Sequence, residues 1–595
     1  MKNSNTHSSF CILFVALFIA VNISYSQSQL SGDHIKTLVE KYKNDLRGPY
    51  KDIRWFCTDG SVRQPKEPCP DNIGPGVQHA RYKDEVVALS KSNHIFLGQI
   101  LAYSTNEDLW DIDHNHSRLK QYQLDKYLRL IDDGWVNQKG QFYRGSVQVE
   151  DEEAWGIGFY KWILAKDALV ADNFYFLRQS LKDIPHNGDD NVAQLMRSES
   201  KVISDIYMPF MDLRTKIHSQ PEKSDIQKVI DFKAKNQKSL TTDLNKKIDG
   251  LVATMQTFFK PVDVQSLLNK SKLVKGTTLG DKVQAFVQGK ASNETPSYLV
   301  NETAQLLLDI REGLLEEKRP MARLQLLDIS LKLEELLFQN APNWQPTTVS
   351  GQLEKICALT TASVGAGYLE LWEWEQISGT LSKFGQEKLS LAELTQVLET
   401  ARAAVEWSAA MVKANYQEVV DTYTTFEPKS YAFIDDRIRG SVALNLGKSV
   451  GELGDFIAKE SALTNMVMDI PNQSTFRGLN PGYAFGELVV VDGSSEDIEV
   501  SSDKIYIFQR SPSDLKPIAG IATVAEGNLV SHVQLLARNL GIPNAALSDA
   551  NLQSLKKYDG ERVFYAVSNK GNVIIKPESK MTDQERGLFV KKERN

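Results

Sequence analysis

At about residue 466 the spacing of apolar residues changes, and this change constrains the fold more than any other feature of the chain. From about 192 to 460, apolar residues recur at intervals of three and four. Examples are LQLLDISLKLEELLF (Leu324 to Phe338) and the stretch from Leu391 to Val412. That spacing lays an apolar stripe along a helix. Pro320, Pro342 and Pro346 fall between such runs and mark helix ends. After 466 the runs are short, β-branched and bounded by turn residues. They are Gly486 to Val491, Lys504 to Gln509, Ile521 to Val524, Glu561 to Tyr565 and Val573 to Lys576. Such runs predict strands, and one amphipathic helix, Ser531 to Leu540, lies among them. The expected architecture is multidomain: a long, mainly α-helical region followed by a small α/β domain.

The composition sets finer boundaries. Residues 27–190 are aromatic-rich and mixed, mostly helical in period; 191–465 form the helical region. Residues 466–482 (with Pro471, Gly478, Pro481 and Gly482) read as a hinge linker. Residues 483–577 form the α/β domain, and 578–595 a charged tail, frayed or a short helix. Sixty-nine Lys and Arg against 76 Asp and Glu give a formal net charge of −7, which disfavours nucleic acid as a partner.

The first 26 residues read as an address. Lys2 precedes an apolar run from Phe10 to Ile23, and Ser24 and Ser26 provide small residues at a cleavage point. The expectation is export to a periplasmic or extracellular space, with no transmembrane segment after cleavage. The run is shorter than the ~20 residues of a spanning helix. In an oxidising compartment Cys57 and Cys69, which close the turn-rich stretch CTDGSVRQPKEPC, read as a disulfide. Asp113, His114 and His116 read as a polar loop, and no metal site is expected. Trp372 and Trp374 read either as a sugar-stacking pair or as packing anchors.

The informative stretch is GNLVSHVQLLARNLGIP, Gly527 to Pro543. Ser531 is a good N-cap, and Gly541 with Pro543 a good stop. Leu529, Val533, Leu536 and Leu540 predict a buried stripe. His532 falls at the first helical position, beside backbone N–H groups at the positive helix end. That end favours the neutral, nucleophilic imidazole, and the same N–H groups suit a phosphoryl group. On the residues alone, His532 is either a capping or packing histidine or a phosphoryl carrier.

GNLVSHVQLLARNLGIPNAAL resembles the phosphohistidine (swivelling) domain of the dikinases: phosphoenolpyruvate synthase, pyruvate phosphate dikinase and the glucan water dikinases. The SHV…ARN wording is most similar to the glucan water dikinases, the Gly-Ile-Pro ending to phosphoenolpyruvate synthase. The resemblance covers about residues 475–577. It implies that His532 carries the phosphoryl group, that Ser531 and Arg538 are local helpers, and that Gly527, Gly541 and Pro543 are structural. Weaker likenesses upstream, among them LLDISLKLEELLF and ICALTTASVGAGYLELWEWEQ, are similar to the helical region that precedes this domain in glucan water dikinases.

The resemblance also implies ATP and Mg²⁺, brought by an ATP-grasp module, and a small-molecule or glucan acceptor. No Gly-rich phosphate loop of the Walker type occurs in the sequence. In the glucan water dikinases the ATP-grasp module follows the phosphohistidine domain; here the resemblance implies that it lies on a separate or continuing polypeptide, and export stands in tension with ATP-dependent chemistry. The expected function is the phosphohistidine-carrying part of a dikinase-like phosphotransferase. The alternative is a non-catalytic exported binding or scaffold protein that retains the fold.

Overall fold

The computed structural model describes residues 29–589, apart from 75, 132–134, 137–148, 187–191, 220, 261, 461–464, 471–472, 494–497, 510–516, 525–529 and 531. The expected leader, residues 1–26, lies outside this set, as does the end of the tail. No described helix is long and apolar enough to cross a membrane.

A helical body occupies the chain up to Glu460, and a mixed eight-stranded sheet follows. One small sheet interrupts the helices near the N-terminus. Its strands are β1 (Tyr50–Phe56), β2 (Val62–Arg63) and β3 (Val77–Tyr82), antiparallel in the order β2-β1-β3. The helical periodicity expected for 27–190 hid this sheet. Cys57, directly after β1, is joined to Cys69 by a disulfide.

The long helix Leu391–Thr424 illustrates how the body forms. Ser390 caps it: its hydroxyl accepts from the Glu393 N–H, and the Glu393 carboxylate accepts from the Ser390 N–H at 2.9 Å. Leu394, Val397, Leu398, Ala401, Ala404 and Val405 then recur at helical spacing and are buried. They join one hydrophobic core that runs from Ile35 to Ile457. The expected boundary at 190/191 separates compositions rather than cores, because both sides feed that cluster. Buried polar links cross the same boundary. Asp183 accepts from Arg437 Nη2 at 2.5 Å, and Tyr127 donates to Asp436 at 2.7 Å.

The C-terminal sheet has the order β4-β11-β10-β6-β7-β8-β9-β5. Its strands are β4 (Met466–Val467), β5 (Arg477–Asn480), β6 (Gly482–Val491), β7 (Lys504–Phe508), β8 (Gly520–Val524), β9 (Asn544–Leu547), β10 (Arg562–Val567) and β11 (Val573–Pro577). Strands β6 to β9 are mutually parallel. The segment 466–482 is therefore no free linker: β4 pairs with β11, and β5 closes the far edge on β9. Strand β5 also reaches the β10–β11 turn, where the Gly478 N–H donates to the Gly571 carbonyl at 2.8 Å. A Cβ at Gly478 would lie 2.3 Å from Val567, so only glycine fits there. The tail forms a short helix, Asp583–Gly587, capped by Thr582. Beyond it, Phe589 packs on Tyr483, Phe485 and Phe564.

Candidate functional site at the carboxyl edge of the parallel strands

Strand β8, the helix His532–Leu540 and β9 form a parallel β-helix-β unit. His532 is the first residue of that helix. The unit thus sets His532 at the carboxyl edge of the parallel strands, beside a helix N-terminus. Ligands of open α/β sheets gather at this edge. Ser531, Gly527 and the side chain of His532 lie outside the described residues.

The helix is held on two sides. Val533 and Ala537 face the sheet and share a cluster with Tyr506, Phe508 and Ile521. Val530 and Leu535 instead join the core of the helical body. Leu536 is partly buried against the sheet cluster, whereas Leu540 is 38% exposed, so the expected stripe is rotated towards Leu535 and Ala537. Buried amides fix the register: Gln534 Nε2 donates to the Leu479 carbonyl at 3.0 Å, and Asn544 Nδ2 donates to Gln534 Oε1 at 2.8 Å. At the helix end Gly541 takes a φ of 66°, and the Ile542 N–H donates back to the Ala537 carbonyl at 3.0 Å. The Pro543 carbonyl accepts from the Ile521 N–H at 3.0 Å.

Arg538 sits six residues beyond His532, about 9 Å along the helix axis at 1.5 Å per residue. Its guanidinium donates to Glu406 of the Leu391–Thr424 helix at 3.2 Å. One residue on, Asn539 accepts from Lys413 at 3.1 Å. Arg538 thus ties the helix to the body.

Three residues that the sequence reading missed share this edge. Thr523 of β8 is opposite Ala546 of β9, which is opposite Arg477 of β5. Among the described residues the buried Thr523 hydroxyl has no hydrogen-bond partner. Arg477 is 3% exposed and pairs with Asp455 at 2.5 Å. Gly454 lets a second guanidinium approach. A Cβ there would lie 3.2 Å from Arg477 Nη1 and 3.6 Å from Arg402 Nη2. Arg402 Nε is buried without a partner among the described residues. Burial, and then the charge of Arg477, push the Arg402 pKa down to about 10, against the pull of Glu406, Glu399 and Asp455. Asp455 already pairs with Arg477, so a further anion would be drawn chiefly to Arg402. No sequence spacing announces the two arginines, because 75 residues and a domain change separate them.

Elsewhere the expected groupings divide. His116 turns inward: its Nδ1 lies 2.7 Å from the Trp110 carbonyl, and its ring packs on Trp110 and Phe176. Asp113 stays exposed, and His114 meets a different acid, Asp111. Trp372 is 58% exposed while Trp374 packs against the core, so the two do not form one stacking surface.

No family model matches the chain, and neither a curated protein nor a solved structure matches it. What the fold and the site define is a helical body followed by a mixed α/β unit, with a histidine-led helix at their junction.

Proposed function

We propose that the C-terminal unit is a phosphohistidine carrier of the dikinase type, with His532 as the residue that takes and passes the phosphoryl group. One observation carries the reading: His532 opens the helix of the β8-helix-β9 unit at the sheet edge where Arg402 and Arg477 converge. An imidazole nitrogen of His532 attacks phosphorus, the P–O bond to the donor breaks, and a P–N bond forms. Transfer reverses this, with an acceptor oxygen displacing the imidazole. The helix N–H groups and the paired guanidiniums neutralise the phosphate charge, and positioning supplies the rest.

The residues of this chain hold and orient the phosphoryl group. ATP and Mg²⁺ would belong to an ATP-grasp module on a separate or continuing polypeptide, and the acceptor would be a pyruvate-like small molecule or a glucan hydroxyl. A swing of the unit would require Val530 and Leu535 to leave the body. Burying such a side chain is worth roughly 1.5–3 kcal/mol, so the docked arrangement would be the resting one.

The seating of Val530 and Leu535, together with the Arg538–Glu406 pair, also supports a second reading: a fixed scaffold with no swing. Phosphoramidate, which phosphorylates imidazole without an enzyme, distinguishes the two. A carrier reacts first at His532 among the nine histidines of the chain. Reaction at His532 no faster than at exposed His34 would favour the scaffold.

A further inference from the structure

Far from His532, two imidazoles converge on one carboxylate. His94 follows the helix Asp84–Asn93 in the left-handed conformation, φ 54°. Asp111 follows the helix Asn106–Trp110 with a φ of 49°, and His114 ends the next short turn. His94 Nε2 lies 2.6 Å from Asp111 Oδ2, and His114 Nδ1 lies 2.8 Å from Oδ1. The rings stack with centroids 3.9 Å apart. One donor atom from each of the three residues falls within a 4.8 Å sphere of mutual distances.

The surroundings have the form of a site. The Arg118 N–H donates to Asp111 Oδ2 at 2.9 Å and fixes the carboxylate from behind. A cleft of about 390 Å³ opens beside the imidazoles, lined by Asn93, Asn115, Ser117, Gln121 and Glu418 among others. The Asp111 side chain is 9% exposed and that of His114 57%, so the group is reachable from the cleft. Four of the five described non-glycine residues with positive φ are His94, Asp111, Asn115 and His116. Each such residue costs roughly 1–2 kcal/mol, and this strain is concentrated around the three converging side chains.

We propose that His94 Nε2, His114 Nδ1 and one Asp111 oxygen form a binding site for a divalent transition metal of the zinc class, with its open coordination position facing the cleft. Two imidazoles and one carboxylate favour such an ion over Mg²⁺ or Ca²⁺, which prefer all-oxygen sites. On binding, the ion replaces the two N–H···O contacts. Each neutral imidazole shifts its proton from the ligating nitrogen to the other ring nitrogen, Nδ1 of His94 and Nε2 of His114, so no net proton is lost. Metal–ligand bonds of about 2.0–2.2 Å require the donor atoms to spread slightly from their present spacing, and the exposed His114 ring has room to turn. This site is independent of the His532 reading.

The test is a titration of the purified, tag-free, chelator-treated full chain with Co²⁺ and Zn²⁺, following the visible Co²⁺ bands. One equivalent should bind saturably, and Zn²⁺ should displace Co²⁺. His114→Ala removes a ligand and should weaken binding by more than the roughly 10–100-fold that loss of an outer-shell partner costs, while far-ultraviolet circular dichroism and the melting temperature stay near wild type. His94→Gln should repeat the loss, and His34→Ala should leave binding unchanged. Absence of a saturable equivalent in the wild type, or undiminished binding in both folded variants, would overturn the site.

Discussion

Arg538 donates to Glu406 at 3.2 Å, and this pair joins the helix that begins at His532 to the longest helix of the body. Its partners are 27% and 55% exposed. A pair so open to solvent is worth at most about 1 kcal/mol. The apolar contact beside it carries more: Leu535 is 5% exposed and belongs to the body's core. Glu406→Gln should therefore lower the unfolding free energy by less than about 1 kcal/mol. Leu535→Ala should lower it by about 2–4 kcal/mol. Urea unfolding midpoints of the two variants test this ordering, and a larger loss in Glu406→Gln would reverse it.

Arg402 and Arg477 predict an anion effect on stability. Burial and then Arg477 hold the Arg402 pKa down at about 10, below the ordinary arginine range. The charged form is thus penalised in the folded state at all pH values below 10, and the penalty fades only above it. A bound anion relieves it near neutrality. Phosphate should raise the melting temperature more than chloride at equal ionic strength, and Arg402→Met should abolish the difference. Equal responses in wild type and variant would argue against an anion at this edge.

The strands around this site were largely legible because β7, β8, β10 and β11 are β-branched runs bounded by turns. Strands β5 and β9 were not. Arg-Gly-Leu-Asn and Asn-Ala-Ala-Leu contain no β-branched residue, and their strand form comes from pairing with each other and with β8. Local composition cannot record such pairing. The helix start at His532 was legible because the start signals of a helix are local. The approach of Arg402 to Arg477, and of His94 to Asp111, is tertiary and left no spacing in the sequence.

Lys120 gives a pH prediction. It is 3% exposed, donates to Asn115 Oδ1 at 3.1 Å and lies 5.4 Å from the Phe176 ring centroid. Burial pushes its pKa from 10.5 down to about 8, with Glu418 opposing. Between pH 8 and 10.5 the unfolded chain binds more protons at this site than the folded one, so the site makes stability rise with pH there. Lys120→Met should be most favourable relative to wild type below pH 8, by up to roughly 3 kcal/mol before its lost contacts are counted. The gap should narrow towards pH 10.5. A pH-independent gap, read from urea unfolding across this range, would contradict the shift.

The Cys57–Cys69 disulfide spans a sequence separation of 12. Closing a loop of that size is worth about 3 kcal/mol in chain-entropy terms. Replacing both cysteines by serine should speed amide hydrogen exchange in β1, β2 and β3. Exchange in the Leu391–Thr424 helix should stay unchanged, because that helix belongs to the separate, larger core. Uniform acceleration across the chain would show that the disulfide supports the whole body instead.

The proposed role of His532 as a phosphoryl carrier is tested most directly by incubating the purified chain with ATP labelled at the β-phosphorus, in extract of the source cells, and mapping the peptides. The expected result is acid-labile, base-stable label on the peptide containing His532, and none on His532→Ala protein of unchanged circular dichroism. Label retained by that variant, or a folded wild-type protein that takes none while the extract phosphorylates a known carrier, would contradict it.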